Sequence, residues 1–144
     1  MVQVKDLMTK KVITIDSKKS ISDAALVMKA KKIGSLVVTD NETPIGIVTE
    51  RDFVRRAVAK KLQFDESISV IMSKPLVTID SDSTLEEAAR LMLDKRIRRL
   101  LVLDEEKISG IIVASDFARH LSKETLSEKI LMAIARYPVI TTDW

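Results

Sequence analysis

Hydrophobic and polar positions follow two kinds of pattern along the first half of the chain. Residues 12–15, 35–39 and 45–48 are short apolar runs bounded by polar turns, which predicts strands. Between the first two runs, apolar residues recur with the spacing of one helix face. They are Ile21, Ala24, Ala25 and Met28. A second helix is predicted over residues 52–60, after the third run.

The same order returns in the second half. Strands are predicted over residues 76–79, 100–103 and 108–113, and a closing helix over residues 116–123. The helical stripe here consists of Leu85, Ala88, Ala89 and Met92. In both halves a hydroxyl residue stands at the predicted helix start with an acid three positions later, which is the capping-box signature. The pairs are Ser20 with Asp23 and Thr84 with Glu87.

The two halves are copies of one unit. A shift of 64 residues aligns residues 8–56 with 72–120 without a gap, and 20 of the 49 positions are identical. A unit of about 50 residues buries too little surface to be stable alone. We therefore expect an α+β fold of two strand-helix-strand-strand-helix units that pack through their sheets with pseudo-twofold symmetry. The predicted boundaries are 1–61, 62–123 and an extension at 124–144.

The extension is not explained by the repeat. A helical stripe ends before Pro138, and residues 138–143 resemble residues 75–80. The stripe consists of Leu126, Ile130, Ala133 and Ile134. This segment is open to two interpretations, an additional strand on a sheet edge or a neighbouring subunit, or the start of something absent from this chain. Since its apolar stripe needs burial, we favour an oligomer interface.

Composition narrows the functional classes. The chain has 46% hydrophobic residues, no cysteine and one histidine, His120, which excludes thiolate metal sites, thiol nucleophiles and a histidine-rich metal site. It has no apolar run near the roughly 18 residues of a membrane span and no apolar signal-peptide region at its start. We expect a cytoplasmic protein without membrane contact. Charged residues reach 31%, while Asn and Gln total three, which favours a thermophilic source.

The residues at the end of each third strand are the candidates for ligand binding. The first copy reads Gly46-Ile-Val-Thr-Glu-Arg-Asp52 and the second Gly110-Ile-Ile-Val-Ala-Ser-Asp116. A hydroxyl group at a helix start favours phosphate binding, and a carboxylate can accept hydrogen bonds from both hydroxyl groups of a ribose. Thr49 and Asp52 could therefore hold a phosphoribosyl group. The same spacing also suits an ordinary capping box, and the two interpretations have about equal weight.

These features together resemble a pair of cystathionine β-synthase (CBS) domains, also called a Bateman module, over residues 4–123. In the first copy the resemblance is carried by Asp6-Leu-Met-Thr9, Ile33-Gly-Ser-Leu-Val-Val38 and the segment ending at Asp52. In the second it is carried by Ile71-Met-Ser-Lys-Pro-Leu-Val-Thr-Ile-Asp80 and Ile97-Arg-Arg-Leu-Leu-Val-Leu-Asp104. Each motif alone is weak evidence for the resemblance, whereas two ordered sets of motifs at one constant offset are strong evidence.

The resemblance implies a regulatory module without enzymatic activity or a required cofactor. Its ligand would be AMP, ADP, ATP, S-adenosylmethionine or a related adenosyl compound, bound in clefts between the copies. Such pairs typically form homodimers and pass a change of shape to a regulated protein, which here is unidentified.

Carried over by position, the resemblance implies two unlike clefts. The first would consist of Ile47, Thr49, Arg51, Asp52, Leu76, Val77, Thr78, Arg98 and Arg99. The second would consist of Val12, Ile13, Thr14, Ile33, Gly34, Ile111, Ser115 and Asp116. Val113 replaces Thr49 in the second copy, so one phosphate donor is missing there and Asp52 should mark the better phosphate site. Alternatively, the two arginines serve both clefts, or they are a solvated pair on a loop.

Other functions receive less support. An oligomerisation scaffold with vestigial clefts is the second hypothesis, and the missing hydroxyl at Val113 favours it for one cleft. The composition does not favour nucleic-acid binding, because the net charge is only +3 and few aromatic residues are present for base stacking. The sequence does not favour an enzyme, since it shows no pairing of a nucleophile with a base.

Overall fold

The described part of the chain forms two compact units, one of which combines two separate stretches of the sequence. A computed structural model describes residues 2–74 and 76–121. Residues 13–74 with Leu76 form one unit, and residues 2–12 with 77–121 form the other. We name them the copy-one unit and the copy-two unit. The boundaries predicted from the repeat stay a prediction, and the helix and strand predicted within 124–144 lie outside the described residues.

The elements follow the predicted order in both copies. In chain order they are α1 (Val4–Leu7), β1 (Thr14–Asp16), α2 (Ile21–Lys31), β2 (Ser35–Asp40), β3 (Thr43–Thr49), α3 (Glu50–Asp52), a π-helix (Phe53–Val58), a 3₁₀-helix (Ile68–Val70), β4 (Thr78–Asp80), α4 (Leu85–Lys95), β5 (Arg99–Asp104), β6 (Lys107–Val113) and α5 (Ala114–Leu121). The α+β class and the strand-helix-strand-strand-helix unit are confirmed. None of the helices described is long and apolar enough to cross a membrane.

Each unit contains one three-stranded sheet, ordered β1-β2-β3 or β4-β5-β6. The first strand is parallel to the second, and the second and third form an antiparallel hairpin. The first strand of copy one was predicted over residues 12–15 but spans Thr14–Asp16. The extent of β1 is set by its pairing with β2, and this pairing begins with Thr14 opposite Val37. The apolar run alone does not show where the pairing begins.

The long helices begin and end as their sequences dictate. The Asp23 amide donates to the Ser20 hydroxyl at 2.9 Å, and the Ser20 amide donates to the Asp23 carboxylate at 3.1 Å. The predicted capping box is therefore formed. In copy two the Glu87 amide donates to the Thr84 hydroxyl at 3.1 Å. Both helices end in the left-handed conformation, at Lys32 and Arg96, which stops further helical turns.

The predicted stripes supply the cores, with one exception. In copy one Ile21, Ala24 and Met28 are buried with strand residues of the same sheet. In copy two the buried stripe is complete and consists of Leu85, Ala88, Ala89 and Met92. Ala25, however, was predicted on the buried stripe and is exposed. The prediction was wrong because Ala25 lies at the edge of a surface groove beside α3.

The helix that follows β3 also differs from its prediction. It begins at Glu50 rather than Asp52, and from Phe53 it widens into a π-helix. The Ala59 amide donates to the Val54 carbonyl at 3.0 Å, a bond that spans five residues instead of four. Copy two has a regular α-helix at this place. Apolar spacing over so few residues does not distinguish the two kinds of helix.

Each third strand is paired, at the residue after its glycine, with a segment distant in sequence. Ser73 and Ile47 exchange backbone hydrogen bonds of 2.8 and 3.2 Å. Thr9 and Ile111 do the same at 2.9 Å in both directions. A methyl group on Gly46 would lie 2.9 Å from the Ser73 carbonyl oxygen, and one on Gly110 would lie 2.7 Å from that of Thr9. Only glycine permits this close approach without displacing backbone.

Substitution of these glycines should therefore destabilise the protein. We expect Gly46→Ala and Gly110→Ala each to lower the free energy of unfolding by about 1–3 kcal/mol, because the added methyl group meets backbone that must move. Guanidinium-induced unfolding measures the change. Gly34→Ala is the matched control, since its methyl group would meet only the exposed Glu50 carboxylate at 3.2 Å. Equal losses in all three variants would contradict this explanation.

Candidate functional site

Each unit buries a carboxylate where its third strand ends and a helix begins. Asp52 and Asp116 are both 2% exposed. The Thr49 amide donates to Asp52 Oδ2 at 2.9 Å, and the Val113 amide donates to Asp116 Oδ2 at 2.8 Å. Each acid thus satisfies an amide at a helix start, where the helix dipole also favours negative charge.

The Asp52 carboxylate has partners on both oxygen atoms. The Thr49 hydroxyl donates to Oδ2 at 3.3 Å, and the Ser73 hydroxyl donates to Oδ1 at 3.3 Å. The Arg56 guanidinium lies 3.7 Å from Oδ1. The carboxylate thus accepts hydrogen bonds from the Thr49 amide and from the two hydroxyl groups, while Arg56 is an ion-pair partner at a longer distance. The capping box considered for Thr49 and Asp52 is therefore formed.

Burial dominates the electrostatics of this acid. Removal from water raises the pKa of Asp52. The Thr49 amide, the Arg56 charge and the two hydroxyl groups act in the opposite direction without cancelling the shift. The fold therefore accommodates the ionised form of Asp52 at a cost in free energy, which is a common property of functional residues.

Arg56 joins this helix to the segment before Ser73. Its guanidinium donates to the carbonyls of Ile71 and Met72 at 3.2 and 3.0 Å. Neither Arg56 nor Ser73 was among the site residues predicted from sequence. The i,i+4 spacing of Asp52 and Arg56 could have indicated the ion pair, whereas nothing local to Ser73 indicates its contact with Asp52.

The surroundings of Asp116 are different. Val113 has no hydroxyl, so the donor that Thr49 supplies in copy one is replaced by an apolar side chain. The Asp116 carboxylate accepts hydrogen bonds from the Val113 amide and from Arg119. Ser115, the other predicted hydroxyl, is exposed on the first turn of α5.

The loop before each second strand lies against the helix start of its own unit. The Glu50 amide donates to the Gly34 carbonyl at 3.1 Å, and the Ala114 amide donates to the Arg98 carbonyl at 2.8 Å. Arg98 and Arg99 are half-buried. Arg98 and Arg99 therefore lie in the same unit as Asp116. Ile33 and Gly34 lie in the same unit as Asp52.

The first strands bring further predicted residues into each sheet. Thr14, Val37 and Ile47 lie in one cross-strand row, as do Thr78, Leu101 and Ile111. The copy-one unit contains Ile13, Thr14, Ile33, Gly34, Ile47, Thr49, Arg51, Asp52 and Leu76. The copy-two unit contains Val12, Val77, Thr78, Arg98, Arg99, Ile111, Ser115 and Asp116. Their predicted combination into two clefts stays a prediction.

The described residues contain no His, Cys, Asp or Glu group able to hold a metal ion.

The raised pKa of Asp52 predicts a dependence of stability on pH. Because the folded chain holds the proton more tightly than the unfolded chain, the contribution of Asp52 is fully present below about pH 4 and is lost as the pH rises through the raised pKa. Asp52→Asn cannot titrate. We therefore expect the unfolding free energy of the wild type minus that of Asp52→Asn to decrease as the pH rises toward neutrality. Urea unfolding at a series of pH values measures this difference, and a constant or increasing difference would contradict the assignment.

Comparison with known proteins places this arrangement in a family. The family model described as the CBS domain matches residues 4–59 and again residues 67–123. The CBS domain-containing protein YhcV of Bacillus subtilis is 34% identical over 118 residues, which cover 82% of this chain and 84% of that protein.

Solved structures agree with the sequence matches. A CBS-domain containing protein from Agrobacterium tumefaciens has a TM-score of 0.73 and 35% identity, over 83% of this chain and 99% of that one. A hexameric CBS-CP12 protein from bloom-forming cyanobacteria has a TM-score of 0.74 and 32% identity, over 88% and 77% of the two chains. The chain belongs to the CBS-domain family and carries two CBS domains in tandem.

Proposed function

We propose that this chain is a regulatory module that senses an adenine nucleotide or another adenosyl ligand and catalyses no reaction. The observation that carries the proposal is the buried carboxylate at the end of the third strand, present in both copies as Asp52 and Asp116. Membership of the CBS-domain family supports a regulatory role in general. The identity of the ligand rests on the resemblance and on the chemistry of these strand ends.

A ribose can be recognised at Asp52 by exchange of weak bonds for stronger ones. The bonds from the Thr49 and Ser73 hydroxyl groups are 3.3 Å long, well beyond the usual 2.7–2.8 Å of such bonds. The hydroxyl groups of a ribose could replace them, while the shorter bond from the Thr49 amide remains. The displaced Thr49 hydroxyl would then be available to a phosphate.

The two copies should differ as ligand sites. Copy one offers the Thr49 hydroxyl, and copy two has Val113 in its place. Copy two has Arg98 and Arg99 where copy one has Gly34 and Ser35. Guanidinium groups bind phosphate in a fixed geometry. We expect unequal affinities or unequal ligands, with the phosphate contact strongest at Asp52 unless the arginines contribute to both sites.

The module would act as a homodimer on a regulated protein that is still unidentified. One relative of this chain in structure, the cyanobacterial CBS-CP12 protein, is hexameric. Self-association in the family is therefore consistent with the proposal. A ligand would regulate by preferring one arrangement of the assembly over another.

The second candidate is a scaffold whose ligand positions are vestigial. One observation favours it directly: Thr49 and Ser73 already donate hydrogen bonds to the two oxygen atoms of Asp52, and Arg56 pairs with its charge. A carboxylate that serves only to cap a helix would look the same. Nucleic-acid binding has no comparable observation in its favour. A cytoplasmic location and a thermophilic source stay predictions of the sequence.

Titration calorimetry separates the two candidates. We expect AMP, ATP or S-adenosylmethionine to bind the wild type, after mass spectrometry has shown that no ligand co-purified. Asp52→Asn retains an acceptor for the Thr49 amide but removes the charge that a ribose would use. It should weaken binding about 10- to 100-fold.

Two further variants complete the test. Asp116→Asn reports on the second site, and Asp40→Asn, exposed at the opposite end of β2 from Ser35, is the matched control. Asp40→Asn should bind as the wild type does. If none of the three ligands binds the wild type, the result would favour the scaffold with vestigial ligand positions.

A further inference from the structure

The segment that joins the two copies is bonded to the copy-one unit as far as Ser73. The Ser73 backbone exchanges two hydrogen bonds with Ile47, and its hydroxyl donates to Asp52 Oδ1 at 3.3 Å. The described residues that follow, Lys74 and Leu76, make no hydrogen bond to another described residue. The copy-two unit begins immediately after Leu76. Ser73 is therefore the last described residue bonded to copy one before the chain enters copy two.

Arg56 holds the two residues that precede Ser73. Its guanidinium donates to the carbonyls of Ile71 and Met72 at 3.2 and 3.0 Å and lies 3.7 Å from Asp52 Oδ1. We call Ile71, Met72 and Ser73 the connector end. Asp52 is thus linked to the connector end twice, directly through the Ser73 hydroxyl and indirectly through Arg56.

The direct link is a buried but weak hydrogen bond. Ser73 is 4% exposed and Asp52 is 2% exposed, so both groups are removed from water. A buried carboxylate oxygen needs a donor, and the Ser73 hydroxyl supplies one. The distance of 3.3 Å is nevertheless longer than the usual 2.7–2.8 Å of a bond between oxygen atoms. A donor that approaches Oδ1 more closely would therefore displace Ser73.

Copy two has no counterpart of this link. The shift of 64 residues places Thr9 at the position of Ser73, and the backbone of Thr9 pairs with β6 as Ser73 pairs with β3. Thr9 is exposed, however, and its side chain makes no hydrogen bond to a described residue. Asp116 accepts instead from the Val113 amide and from Arg119. The repeat preserves the backbone contact in both copies and the side-chain contact in copy one alone.

We propose that Ser73 is a positioning residue that competes with the ligand for Asp52, so that occupancy of the copy-one site loosens the connector end. The inference rests on the proposed function and deepens it by naming how that site is coupled to the rest of the chain. A ribose hydroxyl on Oδ1 expels the Ser73 hydroxyl, and the connector end keeps only its backbone bonds to β3 and its bonds to Arg56. A ligand at Asp116 has no such effect, because the Thr9 hydroxyl is not bonded there.

An alanine variant tests the competition through its sign. Ser73→Ala removes the competing donor, so we expect AMP to bind it about 3- to 10-fold more tightly than the wild type in titration calorimetry. A residue that contacts the ligand directly would give the opposite change. Ser73→Thr keeps the hydroxyl and should bind as the wild type does. Thr9→Ala, the same kind of change at the equivalent position of copy two, is the matched control and should leave the affinity unchanged.

Hydrogen exchange followed by nuclear magnetic resonance tests the reciprocal effect. Ligand binding ordinarily stabilises a protein and slows exchange. Saturation of the wild type with AMP should instead accelerate exchange of the Ser73 amide, which donates to the Ile47 carbonyl at 2.8 Å. Because coupling between two contacts is reciprocal, the factor should equal the gain in affinity of Ser73→Ala. The Thr9 amide, bonded to the Ile111 carbonyl at 2.9 Å, is the internal control and should not be accelerated.

The outcomes separate this inference from the proposed ligand. Tighter binding to Ser73→Ala, with faster exchange of the Ser73 amide in the saturated wild type, supports the competition. Equal or weaker binding to Ser73→Ala, or slower exchange of that amide, overturns the competition and leaves the ligand standing. If AMP, ATP and S-adenosylmethionine bind neither the wild type nor Ser73→Ala, the proposed ligand is overturned and the competition with it.

Discussion

The close contact at Gly46 and Gly110 is the constraint on which the rest of the structure depends. At each glycine a segment distant in sequence pairs with the third strand, through Ser73 in one unit and Thr9 in the other. The pairing fixes which residues complete each core, and Met72 is buried by it. In copy one it also places the Ser73 hydroxyl on Asp52, so the same contact that closes the fold assembles the candidate site.

Asp52 connects stability to function. Its carboxylate caps a helix and holds Arg56, which in turn binds the carbonyls of Ile71 and Met72. A ligand that replaced the two long hydroxyl bonds would therefore act on the same group that ties the helix to the neighbouring segment. This gives a physical route from ligand binding to a change of shape, and it explains why the site is partly structural even if it is a sensor.

The sequence predicted the features that are local or repeated. The tandem units, the helical stripes except for Ala25, and the Ser20 cap follow from spacing along one element, and the structure contains them. The pairing of residues 8–9 and 72–73 with third strands joins residues distant in the chain, and no pattern within either segment reveals its partner. For the same reason Ser73 was missed, while Arg56 could have been inferred from its position relative to Asp52. The exposure of Ala25 and the π-helix depend on how two helices meet, which periodicity does not describe.

The central claim is that the strand-end carboxylates receive the ligand, and amide spectroscopy by nuclear magnetic resonance tests it most directly. The Thr49 and Val113 amides each donate to one of these carboxylates. On titration with AMP we predict saturable shifts of the Thr49 resonance, with a separate midpoint for Val113. Unchanged resonances for both residues, or shifts confined to residues that line the surface groove beside α3, such as Lys29 and Phe53, would contradict the account.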